Sequence, residues 1–377
     1  MSIFNSLGSN YNFTYIIRSL FKKDDGARIS LTHFLENKYG GQVELTYKGR
    51  QAITKALISC NLPEKSAVAV NAFTCIAVIE AIIEANLTPV FLDCELDTLN
   101  FSPDALKKEL ANTDLKVVII QNTFGHPCEI ESILKICNDN ALILLEDLAH
   151  CIGTTYKNGV EAGSVGDFAV LSFGQDKVID SVSGGALIIR NSKFKIKSSK
   201  YIREDPSRRD KVYPILTFTI RSTYNIKVGK FLHFAAKHLS LLSNPMKPGD
   251  QKSMTDWHSM LALSELIHLD KILKHKKFIA AIYINELHKK YISSYQTKNI
   301  ELTNHLRFPI YVKNRDALIE KLKKNNIYLS STWYKNSVTT SKMPHTEKCM
   351  QEIVNLPTHI NVSPEDAKKI VKIINTF

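Results

Sequence analysis

The chain lacks the features that place a protein in a membrane or outside the cell. No uninterrupted apolar run reaches the roughly 18 residues that a helical membrane span needs. The opening segment, MSIFNSLGSNYNFTYIIRSLFKK, has no sustained apolar core followed by a small-residue cleavage site, which argues against a signal peptide. The seven cysteines (60, 75, 94, 128, 137, 151, 349) contain no CxxC pair. An odd, unpatterned set of thiols points to a reducing, cytoplasmic setting and away from a disulfide framework or a zinc site. There is no internal repeat and no low-complexity segment.

What is present is apolar material for a core and an uneven charge. The chain has 377 residues and is 44% hydrophobic, enough for one large domain and a smaller one. The expected division is 1–250 for the large domain and 251–377 for a long helix with a small C-terminal domain. The Pro/Gly-rich stretch NPMKPGDQ (244–251) lies at the join. The net charge is +12, yet the window Arg190–Lys252 alone holds fifteen Lys/Arg against four acids. An excess so localised speaks of an anionic partner surface or substrate more than of the fold. Within it, Val228, Phe231, Leu232, Ala235, Leu239 and Leu242 form one helical stripe, with Lys227, Lys230 and Lys237 elsewhere. Such a helix either packs on its own protein or a partner subunit, or lies on an anionic membrane. Nucleic acid is not expected, because no recognised binding motif accompanies the charge.

Short apolar runs bounded by Gly or polar residues read as buried strands at 43–47, 67–70, 89–92, 116–120, 142–145, 168–173 and 186–189. Helical patterns separate the first five. SPDALKKEL (102–110) starts with an N-cap serine, proline at the first helical position and an acid in the first turn. Strands and helices alternating at this spacing predict an α/β fold, a mostly parallel sheet with helices on both faces. From Met254 the pattern is helical to Tyr291, then strand 306–312, helix 316–325 and a capped helix from Ser363.

Ligands in such sheets bind beyond the strand ends. There the sequence places Glu146-Asp147, His150, Ser172, Lys177 and Gly184-Gly185. A second candidate is VELTYKGRQAITKAL (43–57), a strand, a turn at Gly49 and a helix start. Converging N–H groups and the helix dipole make such a turn an anion site, to which Arg50 adds a charged fork.

In order and spacing, these residues resemble the DegT/DnrJ/EryC1/StrS group of sugar aminotransferases, pyridoxal 5′-phosphate (PLP) enzymes of fold type I. LLEDLAH…GSVGDFAVLSFGQDK…SGGALI is similar to that family's E-D-x-A-[HQ]…G-D-x-x-x-x-S-F-x-x-x-K…G-G. TPVFLD (88–93), SMTDWHSMLALSEL and VNLPTHINVSPED match secondary motifs, so the likeness runs from about Leu35 to the C-terminus. The resemblance implies a three-layer PLP-transferase large domain and a small C-terminal α+β domain. It implies that Lys177 holds the cofactor as a Schiff base and moves the proton, and that Asp147 keeps the pyridine nitrogen protonated. His150 stacks on the ring in this reading, and Phe73 lies near it. Ser172 and the backbone of Gly49, Arg50 and Gln51 bind the phosphate, and Gln251 stands where an asparagine reaches in from a second subunit.

The resemblance further implies a homodimer with a shared active site. The enzyme takes an amino group, from glutamate, and delivers it to a keto group of a nucleotide-linked sugar for surface polysaccharide or glycoconjugates. Related sugar dehydratases carry histidine in place of the Schiff-base lysine, so Lys177 argues against that reaction. A non-catalytic binding or regulatory protein on the same fold is the rival from another class. The chain departs from the family at several positions. Arg50 replaces a small hydroxyl residue, Asn122 the histidine of V-H-x-[YF]-G, and Ser253 the arginine of R-M, and the 191–250 insert is long and basic. The expected location is cytoplasmic, with peripheral contact at the inner membrane surface through 191–250.

Overall fold

The apolar runs become strands, and the helical patterns between them cross over from one strand to the next. The computed structural model describes residues 2–23, 25–195, 205–239, 241–242, 252–330 and 343–377. The chain opens with β1 (Ile3–Phe4), α1 (Phe13–Phe21) and α2 (Ala27–Tyr39). It continues as β2 (Gln42–Thr46), α3 (Gly49–Ser59), β3 (Ala67–Asn71), α4 (Ile76–Glu84) and β4 (Thr88–Leu92). Next come α5 (Pro103–Leu110), β5 (Leu115–Ile120), α6 (Ile130–Asp139) and β6 (Ile143–Asp147). The cofactor-motif strands are β7 (Phe168–Ser172) and β8 (Gly185–Ile189).

These seven strands, β2 to β8, form one sheet in the order β2-β8-β7-β6-β5-β3-β4. Strand β8 runs antiparallel to both neighbours, and the remaining pairs are parallel. The C-terminal ends of the other six strands therefore share one edge with the start of β8. Alternation along the strands builds two apolar layers. Val68 and Val70 of β3 face the α3–α4 side with Ala52, Ile53, Val78 and Ile82. Ala69 faces the other side, with Leu31 and Leu35 of α2, Leu106 of α5 and Ile133 of α6. The result is the α/β, three-layer, mostly parallel architecture expected from the sequence.

Beyond β8 lie α7 (Arg208–Ser222) and α8 (Val228–His238), followed by α9 (Asp256–Leu266) and α10 (Leu269–Glu286). The helical pattern of 254–291 is thus broken at Ile267-His268. Helix α9 buries Ala262 and Leu266 in the first core, whereas α10 from Ile279 onward packs into a second. Completing the chain are α11 (Ser294–Lys298), β9 (Phe308–Tyr311), α12 (Arg315–Lys324), β10 (Ile327–Tyr328), α13 (Pro344–Glu352), β11 (Ile353–Leu356) and α14 (Pro364–Asn375). Strands β9 and β11 pair antiparallel. The second core, built on α10, α12 and α14, also takes in Ile3 at the other end of the chain. Strand β1 pairs in parallel with β10, which the sequence did not foreshadow. Among the described residues no helix is long and apolar enough to cross a membrane.

Candidate active site

A cavity of about 890 Å³ opens at the shared strand edge. Asp147 from the end of β6, His150, Ser172 from the end of β7, Lys177 and Gly184 all line it, and so do Gly49 and Arg50. Residues distant in sequence meet there because parallel strands deliver their C-terminal ends to one place.

The pair Glu146-Asp147 splits, as neighbours on a strand must. Glu146 turns into the protein and accepts hydrogen bonds from Tyr156 Oη (2.8 Å) and from the backbone N–H groups of Gly163, Val165 and Gly166 (2.7 Å each). It organises the turn before β7. Asp147 turns to the cavity, with Oδ1 accepting the Ala149 N–H at 2.9 Å. Burial raises its pKa above the ordinary carboxylate value, against the pull of that N–H and of Lys177. A buried carboxylate of raised basicity suits pairing with a protonated ring nitrogen.

Lys177 sits half-buried on the turn after β7, and its pKa is lowered, first by burial. Cys75 and Asp147 oppose that shift, while the nearby Arg307 guanidinium adds to it. A lysine held this way presents more neutral amine for attack on a carbonyl. The turn is fixed from outside the sheet. Asn10 Nδ2 donates to the Lys177 carbonyl at 2.7 Å, and Asp176 Oδ1 accepts from Ser9 N (2.9 Å) and Ser9 Oγ (3.0 Å). His150 is buried, and its pKa is well below the usual histidine value because of burial, then Lys177 and Arg307. It is neutral at physiological pH. Its ring stacks on Phe124, with centroids 5.4 Å apart and planes 10° off parallel.

At the second candidate turn, α3 approaches the ends of β7 and β8 so closely that side chains are excluded. A Cβ on Gly49 would lie 2.9 Å from the Ser172 Cβ, and one on Gly185 would lie 2.8 Å from the Gly49 N. The N-terminus of α3, the Ser172 hydroxyl and the cavity therefore converge, which is the arrangement an anion needs.

Other sequence-predicted residues fall differently. Arg50 lines the cavity, but its guanidinium is paired with Glu80 on α4. Gln51 caps α3, its Oε1 accepting the Lys48 N–H at 3.1 Å. Phe73 is fully buried in the core and meets Phe124 edge-on, with ring centroids 6.4 Å apart. Of these two rings, Phe124 reaches the cavity wall and Phe73 does not. Gln251 lies outside the described residues.

Sequence reasoning passed over Gln121, Arg307 and Asn355, which also line the cavity. Gln121 directly follows β5 and was open to discovery by the strand-end rule. Arg307 and Asn355 come from β9 and β11 regions, and nothing local marks them. Gln121 Oε1 and Asn355 Oδ1 are buried without a hydrogen-bond partner. Buried acceptors are rarely left so, and here both belong to residues at a cavity that a polar ligand can enter. Together with a buried carboxylate, an amine of lowered pKa and a glycine-lined helix N-terminus, they fit a phosphorylated pyridine aldehyde.

The chain is similar to known aminotransferases. The chain is 24% identical to the GDP-perosamine synthase of Vibrio cholerae, covering 96% of this chain and 92% of that protein. It is 25% identical to the dTDP-4-amino-4,6-dideoxy-D-glucose transaminase of Escherichia coli, over 80% and 77%. Among solved structures, Helicobacter pylori PseC, an aminotransferase involved in the biosynthesis of pseudoaminic acid, superposes with a TM-score of 0.71. That match covers 96% of this chain and 95% of the other at 17% identity, a likeness of fold. The sequence model of the DegT/DnrJ/EryC1/StrS aminotransferase family matches residues 34–375, so the chain belongs to that family of PLP-dependent enzymes.

Proposed function

We propose that the cavity transfers an amino group, with glutamate as donor, to a keto group of a nucleotide-linked sugar used in surface polysaccharide or glycoconjugate biosynthesis. The observation that carries the reading is that Lys177 and Asp147 share one cavity, each with its ionisation displaced by burial. PLP, when bound, supplies a carbonyl that captures the amino group and a protonated ring that draws an electron pair from the substrate carbon. Lys177 Nζ would anchor it and then carry a proton between that substrate carbon and the carbon of the cofactor's former aldehyde group. Asp147 would hold the ring nitrogen in its protonated form. His150, neutral and braced by Phe124, would offer a flat face to the ring. Ser172 Oγ and the α3 N-terminus at Gly49-Arg50-Gln51 would hold the phosphate.

Three further parts belong to the same reading. The chain divides near 250/251 into the large domain and a long helical stretch that leads to a small C-terminal domain, whose own core draws mainly on residues 279–374. The active site is completed in a homodimer, where Gln251 of one copy would serve the other. The protein works in the cytoplasm, with peripheral membrane contact through 191–250.

The purified protein should be yellow and should lose that absorption when glutamate is added. Substituting Lys177→Ala should abolish both the colour and turnover. Transamination by that variant at the wild-type rate would overturn the assignment.

A further inference from the structure

The basic insert carries part of its apolar stripe outward: Val228, Phe231 and Leu239 are exposed, whereas Leu232, Ala235 and Leu242 are half-buried. A helix with bulky residues on one side ordinarily turns that side to the protein. Helix α8 departs from that rule. Its buried residues are Gly229 and Ala236. A Cβ on Gly229 would lie 2.2 Å from the Ile220 carbonyl oxygen, so α8 rests on α7 through its smallest residue. Leu232, His233 and Ala235 are half-buried, and the bulky residues on the outer side stand in solvent: Phe231 is 70% exposed, Phe234 63%, Leu239 69% and Val228 49%. Lys227, Lys230 and Lys237 are exposed on the same helix. Residues 205–239 hold seven Lys/Arg and two acids, one of which, Asp210, is buried.

We propose that α8 is a docking face for an anionic lipid bilayer. It would lie in the plane of the interface with Phe231 and Phe234 inserted and Lys230 and Lys237 at headgroup level. This deepens the peripheral contact of the proposed function and rests on that part of it. Charge decides between occupants. An isologous contact centred on α8 would set the same basic patch against itself, whereas an anionic bilayer complements it. The inner side of the helix gives the docking a direction. His233 lines the active-site cavity, as do Tyr213 and Tyr224 of the neighbouring insert. A bilayer held by the outer side of α8 therefore lies one helix diameter from the cavity wall.

The test is co-sedimentation of the full chain with vesicles of phosphatidylcholine alone or mixed with phosphatidylglycerol. Binding is expected only to the mixed vesicles, and it should weaken as salt is raised. The double substitution F231E/F234E should lower that binding about tenfold or more, and K230E/K237E should do the same. Equal recovery with both vesicle types would overturn the proposal. So would undiminished binding by F231E/F234E, or a halving of its mass in sedimentation equilibrium without any vesicle effect, which would assign the face to a second copy. Wild-type salt dependence judges the proposal even if a variant fails to fold. Because the readout needs no turnover, Lys177→Ala should bind vesicles like wild type, so failure of the enzyme assignment and failure of docking are separable.

Discussion

The cavity around Lys177 and the outer face of α8 are made from similar residues, lysines beside aromatic rings, in opposite settings. At the cavity, burial displaces the ionisation of Lys177, Asp147 and His150, and hydrogen bonds hold the loop that bears the lysine. On α8 the lysines and phenylalanines stand in solvent, with the small residues inside. The difference teaches that composition does not assign a role. Desolvation makes a lysine chemical, whereas exposure leaves it a point charge for recognition at a distance.

Several measurements break or sharpen this contrast. After the loss of Lys177, the largest effect is expected at Asp147. Replacing it with Asn keeps the shape and removes the charge that would stabilise the ring nitrogen, so turnover should fall about 10²–10⁴-fold. A similar kcat for wild type and D147N would place Asp147 among structural residues such as Glu146. The charge pair K230E/K237E on α8 should leave kcat nearly unchanged in the same assay.

Acid should separate the regions next. Burial lowers the pKa of His126 to about 3 and those of His258 and His305 to about 4. Each is neutral when folded and takes up a proton on unfolding below about 6.5. Their contribution to stability is complete above that value and is lost as pH falls from 6.5 through 4. The melting temperature should therefore drop steeply across that window. A flat profile from pH 7 to 4 would show that these rings are not buried as described. The smallest effect is steric. In G185A the added Cβ meets the Gly49 backbone, which should cost about 1–3 kcal/mol and loosen the phosphate end of the site. An unchanged melting temperature and cofactor affinity would mean that α3 does not approach the strands so closely.

Much of the fold was legible because buried strands announce themselves as short apolar runs, and the seven runs of the sheet appear within a residue or two of their expected places. That Asp147, Ser172 and Lys177 would meet at one cavity was legible for a related reason. Asp147, Ser172 and Lys177 sit at strand ends, and strand ends are readable. Other features depend on contacts between distant segments. Arg50 looked like a phosphate fork until α4 brought Glu80 to it. Phe73 was the aromatic in the right place along the chain, yet it enters the core, and Phe124, in a left-handed turn, takes the wall. The α8 stripe showed amphipathicity but not which side faces in. Gly229 decided that, through its fit against α7.

The sequence by itself determined the layered α/β architecture, the family, and which candidate residues stand at the strand ends. Periodicity, strand-end position and side-chain type are local properties, and they are written along the chain. Tertiary structure decided which charges are neutralised, which ring reaches the cavity and which face of the insert meets solvent. Those outcomes depend on desolvation and close packing between segments far apart in sequence, and no local pattern encodes them.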